Sequence, residues 1–135
     1  MNTPRSIIAV YRVPANSVSG LKRVDANSVQ VPVSIPFQRI AIRIPARLTI
    51  SDKVEDGVRL YTAQLVFRTC EDIDDRERMV YSCKAADGKF FLIGTGERPF
   101  PVTTVNEPHP DNMTDSQMNE VTVSYTSAAK IPYIL

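Results

Sequence analysis

The runs Ser28-Val-Gln-Val-Pro-Val-Ser-Ile-Pro-Phe37 and Arg39-Ile-Ala-Ile-Arg-Ile-Pro-Ala-Arg-Leu-Thr-Ile50 decide how this chain is read. In the first, Val29, Val31, Val33, Ile35 and Phe37 hold one parity, while Ser28, Gln30, Pro32, Ser34 and Pro36 hold the other. A period of two is the pattern of a half-buried β-strand. Pro32 and Pro36 lack the amide proton a ladder requires, which places this run at a sheet edge or in an extended arm. In the second, Ile40, Ile42, Ile44, Leu48 and Ile50 alternate with Arg39, Ala41, Arg43, Arg47 and Thr49. The apolar parity changes from odd to even near Gln38. An unbroken strand would turn its apolar side chains to the wrong face there, so a bulge or turn is expected at that point.

Outward from these runs the same alternation continues. Asp56-Gly57 is a tight-turn signal, and residues 58–69 resume as a strand. Tyr61, Ala63, Leu65 and Phe67 form its more apolar face; Leu60 and Val66 on the other face predict a central strand covered on both sides. Asp87-Gly88 predicts a second hairpin between residues 78–84 and 89–93. Residues 7–13, 102–105 and 121–125 are further strands. Helix is confined to one or two turns over residues 71–79, because ten prolines spread from Pro4 to Pro132 interrupt the rest. The expectation is a single all-β domain over residues 1–135, mostly antiparallel, a sandwich or barrel of about six to eight strands with at most one short helix.

Composition agrees with a soluble globular domain: 43% hydrophobic and 23% charged residues over 135 positions. Such a chain buries about two-thirds of its unfolded surface and needs no metal or disulfide to hold a core. The formal net charge of +1 gives no global attraction to nucleic acid or an anionic membrane. The apolar stretch at residues 7–10 is too short for a signal-peptide core or a membrane span, so the chain is expected to be cytoplasmic when made. In that compartment Cys70 and Cys83 are expected as reduced, partly buried thiols. A hairpin of 58–70 with 78–84 about Asp74 would set Cys83 against Leu65.

Each apparent chemical motif has a plainer reading. His109, the only histidine, lies between Pro108 and Pro110 in the longest polar stretch, residues 106–120. It has no nucleophile or carboxylate at a meaningful spacing, and one His with two separated Cys makes no zinc pattern. A polar stretch of that length is either a contact surface or a solvated tip. Glu71-Asp-Ile-Asp-Asp-Arg-Glu77 offers oxygen ligands for calcium but lacks the glycine of an EF-hand loop, and reads as a connector. Gly94-Thr-Gly96 precedes prolines rather than a helix and a lysine, so its glycines belong to a turn and not a phosphate loop. No cofactor and no metal is expected.

With His109 and its polar stretch, two further features stand as interaction candidates. Arg39, Arg43 and Arg47 recur at four-residue steps, about 13 Å apart on one strand face; arginines so spaced suit the carboxylates of a protein partner, and no aromatic lies among them to stack a base. The segment 128–135 ends apolar, with Ile131, Tyr133 and Leu135. It either folds back on its own domain or docks on a neighbouring subunit.

The order Lys84-Ala-Ala-Asp-Gly-Lys-Phe-Phe-Leu-Ile-Gly94, Glu97-Arg-Pro-Phe-Pro101, a polar stretch, Asn119-Glu-Val-Thr-Val-Ser-Tyr125 and an Ile-Pro-Tyr ending resembles small β-rich structural proteins of phage and prophage late-gene regions. The resemblance covers residues 78–135 and implies an assembly role in a tail or neck, with no catalytic residues. The function expected is therefore that of a non-enzymatic structural or assembly protein with protein partners, a homo-oligomer or an assembly neighbour, incorporated in a virion-like particle. Neither nucleic acid nor membrane is expected as partner. The alternative is a β module that holds a small ligand or peptide in a cleft.

Overall fold

Asp56 and Gly57 both take positive φ, 52° and 78°, the mirror-image turn whose twist matches that of the strands it joins. The hairpin they close is the centre of a computed structural model that describes residues 5–25, 27–71, 73, 76–96, 100–106 and 119–134. Its strands are β1 (Arg5–Pro14), β2 (Lys22–Arg23), β3 (Ser28–Gln30), β4 (Gln38–Ile40), β5 (Arg43–Glu55), β6 (Val58–Thr69), β7 (Met79–Ala85), β8 (Phe90–Ile93), β9 (Val102–Asn106), β10 (Asn119–Ser127) and β11 (Tyr133–Ile134). They form one sheet in the order β2-β3-β11-β8-β7-β1-β5-β6-β10-β9, with β4 pairing a second stretch of β1. Among the described residues only the β11–β3 pair is parallel.

The all-β expectation holds: among the described residues the sole helical element is a 3-10 turn at Ala15–Ser17. The described part of residues 71–79 is not helical, and Met79 already begins β7. Among the described residues eleven strands exceed the six to eight expected: β2 and β11, two residues each, are too short to carry a readable period, and the alternating run 39–50 divides between β4 and β5. The path ends at β2 and β9 instead of closing, so the hydrogen bonds do not make a barrel.

The sheet nonetheless curls. Leu65 and Phe67 of β6, Val121 and Val123 of β10, Tyr81 and Cys83 of β7, and Phe91 and Ile93 of β8 share one buried cluster with Ile7 and Leu48. Full burial of each such aliphatic or aromatic side chain stabilises by about 1.5–3 kcal/mol. The Tyr81 hydroxyl and Thr103 Oγ1 hydrogen-bond at 2.7 Å in the interior, which ties β7 to the terminal strand β9. A second cluster lies on the far side of β7 and β8, where Val13, Val80 and Leu92 meet Ala15, Val18, Val29 and Ile35.

Several expectations are corrected by this arrangement. The strand covered on both faces is β7, all but one of whose residues are buried; β6 alternates Ala63, Leu65, Phe67 inward with Gln64 and Arg68 outward. β6 pairs with β5 and β10, and β7 with β1 and β8, so no hairpin about Asp74 joins them. Cys83 therefore faces Val10 and Phe91 across the ladder rather than Leu65. The alternation of residues 29–37 yields only the short β3. Past Gln30 the prolines end the ladder and the chain turns, with the Ile35 amide donating to the Pro32 carbonyl at 3.2 Å. Val29 and Ile35 are buried, while Val33 is fully exposed.

The interruption expected near Gln38 exists a few residues later. Val10 faces Ile40 and Ile7 faces Ala46, so three steps of β1 span six of its partner. β1 answers with its own register shift between Ile7 and Ala9. The tail, through Ile134, folds back into its own sheet: β11 lies between β8 and β3, and the Leu92 amide donates to the Pro132 carbonyl at 3.0 Å.

Candidate interaction site

Ala41 leaves the ladder between β4 and β5, and its backbone groups must find other partners. Thr69 Oγ1 donates to the Ala41 carbonyl at 2.6 Å, and the Ala41 amide donates to the Glu71 carboxylate. The Glu71 amide closes the motif by donating to Thr69 Oγ1 at 3.0 Å. Glu71, the first residue of the acidic run, thus fastens a sheet corner.

Beyond that corner, Arg43 faces Arg68 and Arg47 faces Val66, so four steps of β5 run against two of β6. The extra residues bulge outward and leave Ile44 58% exposed. Arg68 in turn faces Glu120 of β10, with Arg68 Nη2 and Glu120 Oε2 3.6 Å apart. Arg43, Ile44, Arg47, Val66, Arg68 and Glu120 line a shallow cleft of about 490 Å³. Three guanidinium groups and one carboxylate therefore surround an apolar floor.

The bulge also separates the three arginines named from sequence. Arg43 and Arg47 share the cleft, whereas exposed Arg39 lies on β4 and lines a different hollow with Ile8, Ala41 and Glu71. Arg68 and Glu120 were not singled out in the sequence, because their nearness to Arg43 depends on strand register and not on spacing. Of the tail residues, Ile131 is buried in the main cluster, and half-buried Tyr133 has Lys89 Nζ 5.4 Å from its ring centroid. His109 and Leu135 lie outside the described residues.

A larger cleft of about 560 Å³ is bordered by Val18, Gly20, Leu21, Gly94, Tyr125 and Pro132. Gly94, at φ 101°, sits where an added Cβ would come within 2.6 Å of Pro101 Cγ, a close approach that only glycine allows. Burial pushes the Tyr81 hydroxyl above its ordinary range and the Cys83 thiol up to about 12. Neither residue borders either cleft; both are core groups. Cys70 is exposed, and both cysteines are free.

The two ends of the sheet differ. β2 offers a two-residue, doubly basic edge, Lys22-Arg23, short and charged as natural edges tend to be. β9, Val-Thr-Thr-Val-Asn, is five residues long and holds neither charge nor proline. Among the described residues it pairs with β10 alone, and Val102 is 63% exposed. No helix among the described residues is long and apolar enough to cross a membrane. Among the described residues the geometry defines an all-β chain with one open, curled sheet, a terminal strand paired on one side only and an arginine-lined bulge. No protein-family model, no curated protein and no solved structure matches the chain.

Proposed function

We propose that this chain is a non-enzymatic structural or assembly protein, of the kind found in phage-like virions or tails, and that it associates with copies of itself through β9. The β9 edge, which pairs with β10 alone among the described residues, is the observation that carries this reading. An exposed ladder without charge, proline or bulge is a template for another strand. Antiparallel pairing of two copies about Thr104 sets Thr103 against Val105 and Val102 against Asn106, with no like charges opposed. The isologous contact closes as a two-fold dimer. In the same proposal the curled sheet acts as a sandwich-like body, with β7 and β8 facing β6 and β10 across the main core.

Sedimentation velocity over a wide concentration range tests this. Concentration-dependent dimers are expected for the native chain, and a monomer for Thr104→Lys with unchanged thermal stability. A chain that stays monomeric at high concentration, or a dimer indifferent to Thr104→Lys, overturns the reading. The cleft beside Tyr125 favours a second one, a β module for a small ligand or peptide: it is concave, and glycines in its wall admit close approach to backbone. Chemical-shift changes confined to Gly20, Gly94 and Tyr125 on adding a peptide library would select that reading over assembly.

A further inference from the structure

We propose that Arg43, Arg47 and Arg68 form a binding site for the carboxylates of an acidic segment on a protein partner, with Ile44 as the adjoining apolar contact. The inference does not depend on β9, because a monomer would retain the site.

The first observation is a violated local rule. Arg43 and Arg68 face each other directly across the ladder, and like charges in that position destabilise a strand pair. Glu120 relieves Arg68 at 3.6 Å. Among the described residues, no ion pair engages Arg43 or Arg47. In a chain whose net charge is only +1, this is a local excess of positive charge. Places where a sequence breaks a local rule without compensation are the places to look for function.

The second observation concerns the chemistry of the incoming group. Glu120 shows that the cluster pairs with a carboxylate, and guanidinium forks suit planar, two-oxygen acceptors. Ile44 is exposed beside them, and half-buried Val66, on the same face of β6 as Arg68, adds to the apolar floor. Alternating charge and apolar surface matches a segment that mixes Asp or Glu with aliphatic residues. A phosphate backbone fits less well, since Glu120 would repel it and no exposed aromatic in the cleft offers a stacking surface.

Titration calorimetry with acetyl-Glu-Leu-Glu-Leu-Glu-amide at low salt tests the site, with inorganic phosphate and a single-stranded oligonucleotide as parallel probes. The peptide should bind, and Arg43→Gln/Arg47→Gln should weaken it by about tenfold or more, a loss of the size expected for charge-assisted pairs. Arg39→Gln, on the other side of the corner, should leave binding unchanged. No binding of the peptide at millimolar concentration, an equal loss in Arg39→Gln, or tighter binding of the oligonucleotide than of the peptide would each overturn the proposal. Thermal melts provide a second readout: in the free chain Arg43→Gln should raise the midpoint at low salt, and the gain should shrink as salt screens the repulsion. A lowered midpoint at low salt would remove the uncompensated repulsion on which the inference stands.

Discussion

Replacing Tyr81 by Phe removes one oxygen atom and tests whether the sheet curls as described. The Tyr81 ring is fully buried among the side chains of the main core, and its hydroxyl reaches Thr103 Oγ1 at 2.7 Å. A neutral hydrogen bond contributes about 1 kcal/mol net, but stranding a buried partner raises the cost to about 1–3 kcal/mol. Thr103 is itself buried, so Tyr81→Phe and Thr103→Val should each destabilise by an amount in that range. Replacing both partners by apolar groups of similar shape is nearly neutral by the same reasoning. The double variant should therefore be more stable than the sum of the single losses predicts, with a coupling of about 1–2 kcal/mol by urea denaturation. In thermal melts each kcal/mol corresponds to roughly 3–5 °C for a chain of this size. Additive losses would mean that β7 and β9 do not meet through the core, and the curled arrangement would fall.

Three further outcomes follow from single residues. Burial raises the Cys83 thiol from an ordinary 9.0 to about 12, so the stability it contributes is complete below pH 9 and is lost as pH rises from 9 toward 12. Its slope is about 1.4 kcal/mol per pH unit, and Cys83→Ala should flatten the alkaline limb of a pH–denaturation series, while at neutral pH a disulfide reagent should label Cys70 fast and Cys83 only on unfolding. Thr69→Val removes the hydroxyl that serves both Ala41 and Glu71 and should cost about 1–3 kcal/mol by urea denaturation, whereas Thr69→Ser should cost less. Gly94→Ala meets the rigid Pro101 ring as well as a positive φ, so its melting point should drop further than that of Gly57→Ala, where nothing lies within 4 Å and backbone strain of about 1–2 kcal/mol acts alone.

How much of this was legible depends on how local each signal is. Asp56-Gly57 names its turn, and the strand read after it, residues 58–69, coincides with β6 because the alternation there is unbroken. Residues 29–37 alternate as well, yet Val33 points to solvent, because a period of two does not restore the amide protons that Pro32 and Pro36 lack. The doubly covered strand was legible in principle: Met79-Val-Tyr-Ser-Cys-Lys-Ala85 is a near-continuous apolar run, the mark of a strand buried on both faces. Its partners were not, because β1 and β8 are chosen by which edges remain free after folding.

The arginine site shows where such reading must stop. The two-residue turn at Asp56-Gly57 sets Glu55 against Val58, and counting back along both strands correctly sets Arg47 against Val66. Continuing the same count would place Pro45, not Arg43, opposite Arg68. The two extra residues between Arg43 and Arg47 bring two like charges together, and they leave no trace in the spacing. What permits them is distant in sequence: a corner held by Thr69 and Glu71 at Ala41. If Thr69→Val loosens that corner, Arg43 loses its fixed place opposite Arg68, and peptide binding should weaken although no arginine has been changed. Undiminished binding in a Thr69→Val chain of measurably lower stability would show that the cluster does not need the bulge.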